Sequence, residues 1–150
     1  ERAQPLEFNA RFGDTEAQTY VRILRTDILP LLYAAADNAS ETPAIEWEPG
    51  YGVSLTLATG DYGLVENPKV GDRIYNIQAA ERCIDGLVVF HAGTHEEDGI
   101  YYTASGRVLT LTARELSLQA ACDKVYAAAD IINFRGMYYR RDIGKLKIAA

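Results

Sequence analysis

Leu118, Cys122, Val125, Ala129 and Ile132 recur at spacings of four, three, four and three. That period puts all five on one face of a helix, where no strand could gather them. Ser117 stands immediately before the run and can cap it. Thr112 with Glu115 offers an earlier capping box, but the periodicity begins after Ser117 and selects it. A helix with one apolar stripe needs an apolar surface to lie on. The preceding sequence supplies one: Val53 to Thr59 alternates and is rich in β-formers, and "GLVVFHAGT" with "IYYTASGRVLTLTA" reads as three further strands. "HEEDG" (95–99) and "ASG" (104–106) supply the turns between them. Several strands, one packed helix and a short basic end predict an antiparallel α+β unit.

The first third follows another pattern. In "LEFNARFGDTE", Leu6, Phe8, Ala10 and Phe12 alternate with Glu7, Asn9 and Arg11, the signature of a strand with one buried face. Gly13-Asp14 breaks the alternation, and Thr15 with Gln18 has the form of a capping box. Tyr20, Leu24, Ile28, Leu31 and Ala35 then recur at helical spacing. Thr26-Asp27 offers a second cap, with Pro30 in the first turn behind it, so two helices are expected rather than one. Asp37 to Gly52 is polar, rich in proline and glycine, and reads as the connection between two units, with Trp47 plugging their joint. Gly60 to Asp72 is a long loop without the Lys-Ser/Thr ending of a phosphate loop.

Charge and cysteine usage exclude several classes. A net charge of -6 argues against non-specific nucleic-acid binding, which needs a basic surface. The charge is uneven, because Asn133 to Ala150 holds Arg135, Arg140, Arg141, Lys145 and Lys147 against Asp142 alone. A basic end on an acidic body suits a small anionic ligand better than a polyanion, and a solvated basic end is the more frequent cause of such a pattern. No apolar run approaches the roughly 20 residues of a membrane span, and the first residues lack the design of a secretory signal. Cys83 and Cys122 form no disulfide framework or metal spacing. They read as buried bystanders in a reducing cytosol, so a cytoplasmic location is expected. His91 and His95 flank a strand end and make no zinc site by themselves. The chain opens on Glu1 with a strand soon after, which suggests a piece of a longer protein.

Glu7 and Asn9 sit two apart on a strand and so project to the same side, where a carboxylate and an amide oxygen can share one Mg²⁺. Arg11 is one step further along that face, and its fork can grip a carboxylate or an acyl phosphate. An ordinary polar strand face has the same spacing.

Read together, four ordered motifs resemble the phosphoribosylamine–glycine ligase (glycinamide ribonucleotide synthetase) family of the ATP-grasp superfamily. "LEFNARFGDTE" resembles that family's metal-binding signature. "VFHAGT" and "GRVL" resemble strands of its C-terminal domain, and "GMYYRRDIG" (136–144) resembles its closing motif. The resemblance implies an α+β chain in which residues 1–45 end an ATP-grasp domain and 46–150 form a small antiparallel C-terminal domain packed with a helix. It further implies a ligase of purine biosynthesis that uses ATP and Mg²⁺ or Mn²⁺ to join glycine to 5-phosphoribosylamine through glycyl phosphate. Glu7 and Asn9 would then be the metal ligands, and Arg11 would hold the acyl phosphate or the glycine carboxylate. Asp14 and Glu16 would contact the substrate amine, and Arg140 with Arg141 the ribose 5-phosphate. Neither nucleic acid nor membrane is implied as a partner. The missing N-terminal part of the enzyme would carry the adenine pocket, leaving the fragment alone inactive. The alternative is a free-standing, non-catalytic phosphate-binding module. Two departures stand out: Thr15 replaces the signature's usual proline, and "GDYGLVENPKVGD" differs from the family's Gly-Gly-Tyr-Pro loop.

Overall fold

The computed structural model describes residues 10–39 and 41–145. Leu6, Glu7, Phe8 and Asn9 of the expected first strand lie outside the described residues, and Ala10 to Phe12 follow an irregular path. The elements then run α1 (Glu16–Ile23), α2 (Ile28–Ala36), β1 (Tyr51–Thr59), α3 (Ile77–Cys83), β2 (Val88–His91), β3 (Thr94–Glu97), β4 (Ile100–Thr103), β5 (Arg107–Glu115), α4 (Leu118–Ile131) and β6 (Met137–Tyr138). The α+β class read from the sequence is the class observed.

One four-stranded antiparallel sheet, in the order β2-β5-β1-β6, organises the molecule. Its faces differ because side chains alternate along each strand. Val53, Leu55 and Leu57 pair with Ala113, Leu111 and Leu109, forming an apolar face. This face meets the buried side of α4, made by Ala121, Cys122, Val125, Ala128 and Ala129. Small alanines let the helix approach closely, and each fully buried Leu contributes about 1.5–3 kcal/mol. Ser117 caps α4, accepting a hydrogen bond from the Ala120 N–H at 3.2 Å.

The opposite face carries hydroxyls, with Ser54 and Thr56 paired to Thr112 and Thr110. Here α1 lies on the sheet, its Thr19 hydroxyl 2.5 Å from that of Ser54. The approach depends on Gly52, where an added Cβ would stand 2.9 Å from the Thr19 and Ile23 methyl groups.

Several local readings change. Helix α1 begins at Glu16 as expected, but the Thr15 side chain makes no cap bond; Gln18 Nε2 donates instead to Asp14 Oδ1 at 2.8 Å. Asp27 does cap α2, accepting from the Leu29 N–H at 2.9 Å. The Tyr20–Leu24–Ile28–Leu31–Ala35 stripe is only partly covered among the described residues: Leu24, Ile28 and Leu31 are half-buried, while Tyr20 and Ala35 are exposed. Trp47 is 50% exposed, bridges to Leu24 and leans toward Tyr20. The segment "HEEDG" is mostly strand. Only Asp98 and Gly99, both at positive φ, make the turn, the pairing that a two-residue type I′ hairpin requires. Cys83 is exposed, whereas Cys122 is buried as expected. Helix α3 and strand β6 are additions to the elements read from the sequence.

Candidate functional site

The turn before α1 and the closing motif meet at one end of the hydroxyl face. A cavity of about 280 Å³ opens there between the start of α1, strand β1 and the closing motif. Thr15, Thr56, Tyr62, Arg107, Tyr138 and Arg140 are among its walls.

Arg107 is placed by the strand that carries it. Its carbonyl accepts the Gly93 N–H at 2.8 Å and the Ser105 hydroxyl at 3.2 Å, fixing the start of β5. From there Nη1 reaches Asp14, donating to its carbonyl at 3.2 Å and standing 3.2 Å from Oδ2. The guanidinium also stands over the Tyr62 ring, 6.0 Å from its centroid. That ring rests against Gly106, where any Cβ would collide with it.

Arg140 is held by its neighbour. Nε and Nη2 donate to the two oxygens of Asp142 at 2.9 and 2.7 Å, a bidentate grip that raises the Arg140 pKa. The segment is fastened to α4 by Tyr126, whose hydroxyl accepts the Ile143 N–H at 3.0 Å. Its single proton is shared between the carbonyls of Arg140 (3.1 Å) and Ile143 (3.3 Å). Burial is the first reason that the Tyr126 and Tyr139 hydroxyls titrate above their ordinary value; for Tyr139 the bond to Asp130 at 3.1 Å adds to it.

The expected residues thus fare differently. Arg140 and Thr15 line the cavity, and Asp14 contacts Arg107 of its wall. Glu16 folds its carboxylate back over Gly13, where a Cβ would collide with it. Arg11 is exposed and donates to the Phe12 carbonyl at 2.9 Å. Arg141 stands over the Tyr139 ring at 4.9 Å and is not among the residues lining the cavity. The arginine that shares the cavity with Arg140 is Arg107, which the sequence reading passed over. Its signal was a cation directly after a turn, opening the apolar and hydroxylated run Val108 to Ala113. Glu7 and Asn9 lie outside the described residues. Among the described residues no cluster of three or more His, Cys, Asp or Glu could hold a metal ion, and no helix is long and apolar enough to cross a membrane. His91 bonds Thr94 Oγ1 at 3.0 Å and packs on Tyr101 at 4.4 Å.

An antiparallel sheet with helices on both faces and an arginine-walled cavity at one end defines a small α+β domain. Residues 52–146 match the family described as "Phosphoribosylglycinamide synthetase, C domain", and the chain belongs to that family. The phosphoribosylamine–glycine ligase of Chlorobaculum tepidum is 35% identical over 139 residues, covering 93% of this chain and 32% of the relative. That of Vibrio parahaemolyticus is 38% identical over 144 residues, covering 96% and 33%. The crystal structure of the Thermotoga maritima phosphoribosylamine–glycine ligase superposes with a TM-score of 0.74 at 28% identity, covering 91% of this chain and 32% of that one. The chain therefore spans about a third of the length of the relatives it matches.

Proposed function

We propose that this chain is the C-terminal part of an ATP-dependent ligase that joins glycine to 5-phosphoribosylamine, giving glycinamide ribonucleotide, ADP and phosphate. The single observation that carries the reading is the match of more than nine-tenths of the chain to proteins bearing that ligase name. In this reading residues 1–45 close an ATP-grasp domain and 46–150 form the C-terminal domain. The glycine carboxylate attacks the γ-phosphate of ATP and releases ADP. The ribosylamine nitrogen then attacks the carbonyl of glycyl phosphate and releases phosphate.

Glu7 and Asn9 are the proposed ligands of Mg²⁺ or Mn²⁺, and a carboxylate with an amide oxygen is a donor set that suits either ion. A bound ion would spread the charge of the transferring phosphoryl group. Arg11 has an exposed guanidinium with donors left for an acyl phosphate or a carboxylate. Asp14 and Glu16 follow it at the mouth of the turn, and a carboxylate with two partners still has lone pairs for an amine. Arg140 keeps Nη1 beyond its grip on Asp142, and with Arg141 it is the proposed contact for the ribose 5-phosphate.

The uncovered face of α2 supports a larger partner in the same enzyme. Leu29 is 68% exposed and Tyr33 73% exposed on a helix, ILPLLYAAA, without a charged residue. Apolar surface of that kind is normally buried. We assign it to the remaining two-thirds of the ligase, which would also hold the adenine pocket; the chain by itself would then be inactive.

A polypeptide containing this sequence at the relatives' length should release ADP only when glycine and the ribosylamine are both present. ADP release indifferent to glycine would contradict the reading. The alternative, a self-sufficient phosphate-binding module, draws on the cavity that Arg107 and Arg140 share within this chain. Calorimetry of the 150-residue chain with ribose 5-phosphate separates the two, because only a self-sufficient module should bind.

A further inference from the structure

We propose that Arg107 is a positioning residue, through which the C-terminal sheet fixes the turn ending the signature segment and so the bearing of Arg11. The inference rests on the ligase reading for its catalytic consequence, but its geometry stands within this chain. Residues 107 and 14 are 93 apart in sequence, yet one guanidinium nitrogen holds both the carbonyl and the carboxylate of Asp14. The remaining oxygen of that carboxylate accepts from Gln18, so the turn is fastened on two sides.

The anchor end is rigid. Arg107 pairs with Ala58 in the sheet, its carbonyl is bonded twice, and the Tyr62 ring packed on Gly106 lies beneath its guanidinium. The held end is a short turn outside regular structure, only three residues past Arg11. Half-exposed ion pairs add little to stability. Their geometric effect is different, since two contacts from one planar group to one residue remove the turn's freedom to pivot. A reactive group displaced by an ångström can lose about a hundredfold in rate. A sheet-borne arginine acting on a signature loop is therefore suited to positioning rather than to holding the fold together.

The test has two readouts. In this chain, R107A should speed hydrogen exchange at the Ala17 amide, which bonds the Gly13 carbonyl at 2.9 Å, by about two- to fivefold. Amides of β1 and β5 such as Leu55 and Leu111 should keep wild-type rates. D14N, which leaves β5 untouched, should act in the same direction. In the full-length polypeptide, R107A should lower kcat by about ten- to a hundredfold with the KM for ATP unchanged, and R107K should restore part of the loss. Unchanged Ala17 exchange in both variants overturns the proposal, as does faster exchange with an unaltered kcat. If the wild-type full-length protein shows no glycine-dependent ADP release, the ligase reading fails and, with it, the catalytic role given to Arg107; the exchange result then decides the clamp alone.

Discussion

Arg107 stands 3.2 Å from both the carbonyl and the carboxylate of Asp14, joining the first residue of β5 to the turn before α1. The contact brings the two most informative sequence motifs to one cavity, because Arg140 of the closing motif forms another of its walls. Helix α1 lies across the hydroxyl face between them, and α4 holds the opposite face.

Stability should be insensitive to that contact and sensitive to the sheet beneath it. Arg107→Ala is expected to cost about 1 kcal/mol or less in urea unfolding, as for other half-exposed ion pairs. Leu57→Ala, which empties a wholly buried site facing α4, should cost about 2–5 kcal/mol. Equal losses in the two variants would contradict this division.

Tyr126 is expected to hold the closing motif on α4. Tyr126→Phe removes the partner of the Ile143 N–H and of two carbonyls, so a loss of about 1–3 kcal/mol is predicted. The same variant should speed thiol-reagent labelling of Cys122, which sits beneath Gly144. In the wild-type chain Cys83 should label quickly and Cys122 slowly, because Cys122 is buried and burial pushes its thiol pKa up.

Alkaline conditions should unfold the chain through its tyrosines. Tyr126 and Tyr139 bind their protons more tightly in the folded state, mainly because burial disfavours the phenolate. Their contribution is therefore complete below the unfolded tyrosine value of about 10 and is lost as pH rises through the higher folded values. A Tyr126→Phe, Tyr139→Phe double variant should show a shallower fall of stability above pH 10 than the wild type in denaturant titrations at stepped pH. An unchanged slope would assign the alkaline transition elsewhere.

The two arginines of the closing motif should separate in ligand binding. In the full-length protein, Arg140→Ala should raise the KM for the ribosylamine more than Arg141→Ala does, because Arg140 lines the cavity while Arg141 packs over Tyr139. Equal effects would place the phosphate outside the cavity.

The parts legible in the sequence were those with a local cause. The α4 stripe, its Ser117 cap, the Asp27 cap and the paired strands each follow from a few neighbouring residues, and the structure holds them where the spacing puts them. Helix α3 was missed because the residue before it, Asn76, sits at positive φ and turns its amide to the Ile131 carbonyl instead of capping. Only Ile77 and Ala80 of that helix are buried, too short a stripe to show a period. Arg107 was missed for a different reason: nothing in "GRVL" reveals that the strand brings its first side chain against a turn 93 residues away. The opening signature was legible as a motif, with the residues proposed for the metal, Glu7 and Asn9, lying outside the described part of the fold.

The central claim is tested most directly by measuring Mg²⁺-dependent, glycine-dependent ADP formation by the full-length polypeptide, wild type against Glu7→Gln. The ligase account predicts robust ADP release by the wild type across a Mg²⁺ titration and its loss in the variant, with folding unchanged. A variant that releases ADP with the wild-type rate and the wild-type Mg²⁺ dependence would contradict it.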